Sequence, residues 1–491
     1  MSITRIENLI VGTGFAGLGM AIRLAQAGRR DFALIERAGE VGGTWRDNTY
    51  PGCTCDVPSS LYSLSFAPNP DWSCTHPQQP EILRYLCDCA DRFGIRPHIR
   101  FGAELTGARW DEAAARWLVE TTAGTYDARF LILGTGGLSS PRMPEIAGLD
   151  TFRGTLFHAG AWRHDHDLGG ERVAVIGTGA SAIQFVPQVQ RLAASLSVFQ
   201  RTPAWVLPNP GRRLLQAERW LSRRVPATQS ARRLGSYVNH ELLVLGFAFD
   251  PRFNAALEVA GRELLRLQVR DRALRARLTP RYRLGCKRVL ISNDFYPALT
   301  RTNVELVTDA ITEVREHDIV TAGGRRHAVD TIIAGTGYHT SDVPVAHRIT
   351  GRGETLAARW GGSPQAYLGT SVAGFPNMFQ LFGPNTAVGH TSVVYMIEAQ
   401  IEYVLKALQL AQRERLQRIE VRPEVQAAYN AALQERSRGT VWTSGGCSSY
   451  YLDVRGNNFA IWPTFTLPFQ RRTRRFDVAA YTLQRDVEVA A

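Results

Sequence analysis

One arrangement of apolar and polar positions occurs twice along this chain. The β-branched run Leu9-Ile10-Val11 leads into the turn Gly12-Thr13-Gly14-Phe15-Ala16-Gly17 and then into a helix-compatible segment. Val173-Ala174-Val175-Ile176 leads in the same way into Gly177-Thr178-Gly179-Ala180-Ser181-Ala182. Short continuous apolar runs bounded by turn residues predict strands buried on both faces, as in a parallel sheet. A second such run follows each turn, Phe32-Ala33-Leu34-Ile35 and Leu196-Ser197-Val198-Phe199. Each unit then closes on a buried strand running into glycine, Phe130-Leu131-Ile132-Leu133-Gly134 and Thr331-Ile332-Ile333-Ala334-Gly335. The expected fold class is α/β, with two Rossmann-like dinucleotide-binding domains.

Between these repeats the periodicity changes. From about 210 to 285 the chain is rich in leucine and arginine at helical spacing (Leu257, Ala260, Leu264, Leu267), which predicts an inserted helical subdomain. A further helix is expected through Tyr395–Leu405. The apolar stretch Leu242–Phe249 is eight residues long, far short of the roughly 18 to 20 that cross a bilayer, so no stable membrane insertion is expected. It fits core packing and the lining of an apolar channel equally well.

Composition adds limits more than detail. With 491 residues, 44% hydrophobic and 21% charged, the chain has material for two or three domains. A net charge of +12 raises nucleic acid as a partner, but the basic pairs are scattered without interleaved aromatics, and anionic cofactors already call for positive charge. No nucleic-acid partner is expected. Only Lys287 and Lys406 depart from the otherwise exclusive use of arginine, which draws attention to Lys287 beside Arg288. The seven cysteines show neither CxxC pairs nor zinc-ligand spacing, which together with the lack of a secretory signal pattern suits a reducing, cytoplasmic setting. Cys53 and Cys55, two apart on a strand, would hold their Cβ atoms roughly 6 to 7 Å apart against the roughly 3.8 Å of a disulfide, so no redox pair is expected there.

At the same offset beyond their glycine turns stand two residues of opposite charge, Glu36 and Arg201. A carboxylate at the end of the second strand suits an unphosphorylated ribose, as in FAD or NAD; a guanidinium suits a 2′-phosphate, as in NADPH, and the two together suit hydride transfer from NADPH to a flavin. Gly12, Gly14, Gly17 and Glu36 are therefore candidate contacts to FAD, and Gly177, Gly179, Ser181 and Arg201 to NADPH. The expected organisation is an FAD-binding domain in two parts, 1–145 and 341–491, and an NADPH-binding domain in two parts, 146–208 and 286–340. The helical insertion spans 209–285.

Phe152, Gly154, His158 and Trp162 form an F-x-G-x-x-x-H-x-x-x-W pattern just ahead of the second turn. Here the chain resembles the type I Baeyer–Villiger monooxygenases of the class B flavin monooxygenases. Arg163 departs from the Pro or Asp that normally ends their signature. Relatives that oxidise nitrogen or sulfur usually carry Tyr or Phe where Trp162 stands. Phe199-Gln200-Arg201-Thr202-Pro203 is similar to the family segment that binds the NADPH 2′-phosphate, which implies that role for Arg201 and Thr202. Cys286-Lys287-Arg288-Val289-Leu290, followed by Tyr296 and Arg301-Thr302-Asn303-Val304, resembles the stretch whose arginine lies against the flavin and whose lysine helps hold the NADPH phosphate. Gly43-Thr44-Trp45 and Gly52-Cys53-Thr54-Cys55-Asp56 resemble the flavin-contacting segments, the aspartate orienting the catalytic arginine.

The resemblance thus implies Arg288 and Asp56 as catalytic residues, and Gly43, Thr44, Trp45, Thr202 and Lys287 as further cofactor contacts. It implies a hinge role for His158. The implied reaction uses NADPH, FAD and dioxygen to convert a ketone into an ester or lactone. Arg288 would supply fixed positive charge and donors to an anionic peroxide on flavin carbon 4a. Departures lie at Gly335, where alanine is usual, at Tyr450, where tryptophan is usual, and across Phe382–Ser392. Two other readings stay open: an oxygenase acting on sulfides or amines through the neutral hydroperoxide, and a non-oxygenating NADPH–flavin reductase or sensor. The substrate and the oligomeric state are not legible.

Overall fold

Two parallel-stranded sheets organise the chain in the computed structural model, which describes residues 3–485. In the first, β1 (Ile3–Val11) lies between β2 (Phe32–Glu36) and the strand Gly124–Leu133, parallel to both. Antiparallel strands Leu105–Asp111 and Arg116–Thr121 extend one side, and Ile99–Phe101 adds to the other. Met378–Gln380 joins beside Gly124–Leu133, so a late segment enters the early sheet. The second sheet has five parallel strands in the order Val304–Val307, Ser195–Phe199, Arg172–Ile176, Thr331–Ala334, Thr155–His158. The fold is α/β with two Rossmann-like units.

The two units repeat each other at atomic detail. Val11 pairs with Ile35 and Leu133, as Ile176 pairs with Phe199 and Ala334. The next residues then bond alike: Gly12 N donates to Ile35 O at 2.8 Å, and Gly177 N to Phe199 O at 3.0 Å. Gly12 and Gly177 have φ of +97° and +111°, and a Cβ would lie 2.7 Å from Gly134 O in the first case and 2.5 Å from Gly335 O in the second. Both positions therefore need glycine for conformation and for space.

α1 (Phe15–Gln26) follows the first turn and packs its apolar face against the long helix Val393–Arg413, whose buried side includes Met396, Ile401, Tyr403 and Val404. The helix expected over Tyr395–Leu405 is thus longer at its C-terminal end, because apolar residues continue at helical spacing through Leu408 and Ala411. The intervening helical segment comprises Gln216–Arg224, Pro226–Leu242, Ala255–Gln268 and Arg272–Leu278. The apolar stretch Leu242–Phe249 divides: Phe247 is buried against Trp442, while Leu242 and Phe249 are more than half exposed.

One covalent feature differs from the expectation of unpaired thiols. Cys286 and Cys447, separated by 161 residues with Cα atoms 6.1 Å apart, form a disulfide, and Cys53, Cys55, Cys74, Cys87 and Cys89 are free. No local spacing announces this bond, because its partners meet only when the C-terminal segment folds back over the second unit. Among the described residues no helix is long and apolar enough to cross a membrane.

Candidate active site

A cavity of about 580 Å³ runs from the first glycine turn to the boundary with the second unit. Gly12, Gly14, Glu36, Gly43, Thr44, Trp45, Asp56 and Arg288 line it, together with Gln184 from the helix after the second turn and Tyr450 from the C-terminal segment. Gly17 stands behind the turn, where a methyl group would lie 1.9 Å from Gly12 O. Gly179 faces open space, with no atom within 4 Å of where a methyl group would stand, and Gly177, Ser181, Arg201, Thr202 and Lys287 lie outside this cavity's wall.

At the boundary Arg288 grips Asp56: Nε donates to Oδ2 at 3.0 Å, and Nη2 lies 2.7 Å from Oδ1 in the ion pair. Both side chains are about a quarter exposed (25% and 27%), so solvent screens the pair only partly. The Asp56 charge, set against the opposing effect of burial, raises the Arg288 pKa, and the guanidinium stays charged. A guanidinium has five N–H donors, and its pairing with Asp56 through Nε and Nη2 leaves others for the cavity. The chain around Arg288 is held on both sides: Leu290–Ile291 pairs in parallel with Val206–Leu207, and Cys286 is bonded to Cys447.

Glu36 is buried in the cavity wall with its carboxylate already occupied. Oε2 accepts from Thr13 N at 3.1 Å and Thr13 Oγ1 at 2.7 Å, and Oε1 accepts from Ala38 N at 3.0 Å and lies 2.9 Å from Arg46 Nη1 in an ion pair. Three hydrogen bonds and an ion pair occupy most of the acceptor capacity of a carboxylate, so a ribose hydroxyl would share or displace one of these partners. Arg201 is exposed and acts electrostatically on Lys287, whose pKa is lowered by burial and then by Arg201. Two cations that act on each other, outside any ion pair with a carboxylate among the described residues, suit an anion such as a phosphate.

The linker residues have structural partners. His158 is buried; its Nδ1 accepts from Gly160 N at 2.9 Å, its ring meets Tyr338 edge-on, and burial lowers its pKa. Trp162 packs between Phe157 and Phe185, at centroid distances of 5.2 and 5.4 Å. Phe152 is half-buried and packs against the core of the second sheet, and a Cβ at Gly154 would lie 2.1 Å from Asp330 O. Trp45 is buried and donates from Nε1 to Tyr62. Cys53 and Cys55 are buried, burial pushing Cys53 up to about 11 and Cys55 well above its usual value, which keeps both as inert thiols.

Several contributors escaped sequence reasoning. Gln184 clasps the two units: its Oε1 accepts from Tyr50 OH at 3.1 Å and Thr54 N at 3.2 Å, and its Nε2 donates to Thr54 O at 3.0 Å. The only sequence signal is a polar residue on an otherwise buried helical face. Glu241, from the helical insertion, accepts from Thr466 N at 2.9 Å and Thr466 Oγ1 at 2.8 Å and meets His390 Nε2 at 3.1 Å, all buried. Burial pushes the Glu241 pKa up, but its His390 and Thr466 partners outweigh that and leave it lowered. Thr391, next in the chain, lines the cavity with a buried Oγ1 that has no hydrogen-bond partner.

Two parallel-sheet units meeting at an arginine–carboxylate pair define an oxidoreductase built on two dinucleotide folds. In keeping with this, the family model described as "Pyridine nucleotide-disulphide oxidoreductase" matches residues 9–241. The chain is 48% identical to a Baeyer–Villiger monooxygenase of Streptomyces coelicolor over 478 residues, 97% of this chain and 92% of that one. Its fold is similar to the closed crystal structure of cyclohexanone monooxygenase, with a TM-score of 0.87 and 28% identity over 99% of this chain and 100% of that one. It is likewise similar to OTEMO in complex with FAD and NADP, with a TM-score of 0.87 and 26% identity over 97% of this chain and 99% of that one. The chain belongs to the Baeyer–Villiger monooxygenase family.

Proposed function

We propose that this protein is an FAD- and NADPH-dependent monooxygenase that inserts one atom of dioxygen beside a ketone carbonyl, giving an ester or lactone. The observation that carries this reading is the Arg288–Asp56 pair in the wall of a cavity that begins at the first glycine turn. FAD fits that cavity chemically: the turn admits no side chain at Gly12, and the buried Thr391 Oγ1 lacks a protein partner. When bound and reduced by NADPH, FAD supplies dioxygen activation and delivery of one oxygen atom.

The protein's own groups then have distinct tasks. Gly12 and Gly14 let the backbone of the turn approach the FAD pyrophosphate at the start of α1, and Gly17 lets that helix pack close behind the turn, with Glu36 near the ribose and Gly43, Thr44 and Trp45 along the length of FAD. Gly177, Gly179 and Ser181 form the corresponding turn for NADPH, whose 2′-phosphate is held by Arg201, Thr202 and Lys287. Arg288 holds a fixed positive charge and free N–H donors where negative charge develops, without yielding its proton. Asp56 restricts the guanidinium to one orientation. Phe152, Gly154, His158 and Trp162 set the linker between the units, and His158 acts as hinge. Residues 1–145 and 341–491 form the FAD-binding domain, 146–208 and 286–340 the NADPH-binding domain, and 209–285 the helical insertion. The protein acts in the cytoplasm on a small-molecule ketone.

Aerobic NADPH consumption over matched ketones and sulfides, with products identified by mass, tests the reading. Ketones are expected to yield esters or lactones. Sulfoxides alone would favour the heteroatom oxygenase, and NADPH-driven hydrogen peroxide without oxygenated product would favour the reductase.

A further inference from the structure

The disulfide joins two segments that both reach the candidate site. Cys286 immediately precedes Lys287 and Arg288, and Cys447 lies three residues before Tyr450, which lines the cavity with Arg288. The two ends differ in access. Cys286 is fully buried, whereas Cys447 is half-buried between the exposed residues Gly446 and Ser448. Tyr450 is itself 50% exposed. On one side of this loop Arg283 N donates to Gly445 O at 2.9 Å, and on the other Tyr451 is buried in the cluster that contains Cys286 and Trp442. Between those anchors the described hydrogen bonds are local, from Tyr451 N and Leu452 N to Ser449. The disulfide is thus the covalent tie that holds the loop against the Arg288 segment.

We propose that Cys286–Cys447 is a redox-modification site, opened by a dithiol reductant, that governs how firmly the Tyr450 loop closes over the cavity. In the cytoplasmic setting proposed above, a disulfide is typically transient, catalytic or redox-sensing rather than a permanent staple. A thiolate of the dithiol attacks the accessible Cys447 sulfur; the Cys286–Cys447 bond breaks, and Cys286 leaves as thiolate and takes a proton. The second thiol of the reductant then attacks the mixed disulfide and releases Cys447 as a thiol. Two electrons and two protons pass to the protein, and the reductant becomes a disulfide. Opening the bond loosens the loop, admits water beside Arg288, and diverts NADPH consumption from ester to hydrogen peroxide. This last consequence rests on the function proposed above, whereas the opening of the loop does not.

The test uses the full-length protein after treatment with glutathione disulfide or with dithiothreitol. Alkylation in denaturant followed by peptide mass analysis is expected to show Cys286 linked to Cys447 in the first sample and both alkylated in the second. Chymotryptic cleavage after Tyr450 is expected to be roughly tenfold faster in the reduced protein, equivalent to about 1.4 kcal/mol of local opening. The double variant C286S/C447S should match the reduced protein under both treatments. Ester formed per NADPH should fall with the same samples. Finding both thiols alkylated after glutathione disulfide overturns the proposal, as does equal cleavage in all three proteins. Cleavage that follows the bond, with unchanged ester per NADPH, overturns the effect on coupling. If cleavage follows the bond but no sample forms ester, the proposed reaction fails while the switch stands.

Discussion

Replacing Gly14 and Gly17 by alanine separates ligand contact from packing within one turn. Gly14 has φ −74° and ψ −169°, which any residue adopts, and an added methyl finds nothing closer than Gly43 Cα at 3.8 Å. Lost freedom in the unfolded chain favours Gly14→Ala by about 0.4–1 kcal/mol, while the loss of a preferred helix-capping residue offsets a few tenths, so the apoprotein should change by less than ~1 kcal/mol. The same methyl projects toward the space a pyrophosphate needs for close backbone approach, and FAD should bind at least about tenfold more weakly, ~1.4 kcal/mol. Gly17→Ala places its methyl 1.9 Å from Gly12 O and 2.9 Å from Gly12 C, both backbone atoms. Only a shift of α1 away from β1 relieves this, at a cost of about 3 kcal/mol or more in the apoprotein. Urea unfolding of the apoproteins and fluorescence titration with FAD measure both quantities. Unchanged FAD affinity in Gly14→Ala, or unchanged apoprotein stability in Gly17→Ala, would refute the reasoning.

Arg201→Glu should raise the KM for NADPH at least about tenfold while leaving NADH nearly unaffected, since one phosphate partner has become repulsive; an unchanged NADPH/NADH ratio would move the phosphate site elsewhere. Glu112, hydrogen-bonded to Arg352 and to Trp110 Nε1, has its pKa held down at about 2, chiefly by Arg352. A depressed carboxylate stabilises the fold above its unfolded pKa of 4.5 and loses that contribution as pH falls through about 2. Because the side chain is 54% exposed, Glu112→Gln should cost only about 1 kcal/mol at pH 7. The difference in urea midpoint from wild type should close between pH 4.5 and 2, and a gap that persists at the lower limit contradicts the linkage.

What the chain reveals by inspection follows the range over which each feature is specified. The strand, glycine turn and helix units rest on residues within a few positions, so β1 with Gly12–Gly17 and Arg172–Ile176 with Gly177–Ala182 could be read directly. The missing third turn predicts that later residues return to the first unit, and strand Met378–Gln380 lies in that sheet. Arg288 and Asp56 were paired only through resemblance, since they are far apart in the chain and neither has a local pattern that names the other. The Cys286–Cys447 bond and the Glu241–His390–Thr466 cluster depend wholly on tertiary contact and had no local signal. At Glu36 the strand-end carboxylate was legible, but its full set of protein donors was not, because Arg46 reaches it from a turn whose course depends on the glycines at 42 and 43.

The central claim is that the protein transfers one atom of dioxygen to a ketone with Arg288 at the reacting centre. Incubating FAD-loaded protein with NADPH, a ketone and ¹⁸O₂ should give an ester carrying a single ¹⁸O atom. Arg288→Ala, confirmed by absorbance to retain FAD, should form none. Unlabelled ester from the wild-type protein, or normal labelled ester from Arg288→Ala, would contradict the account.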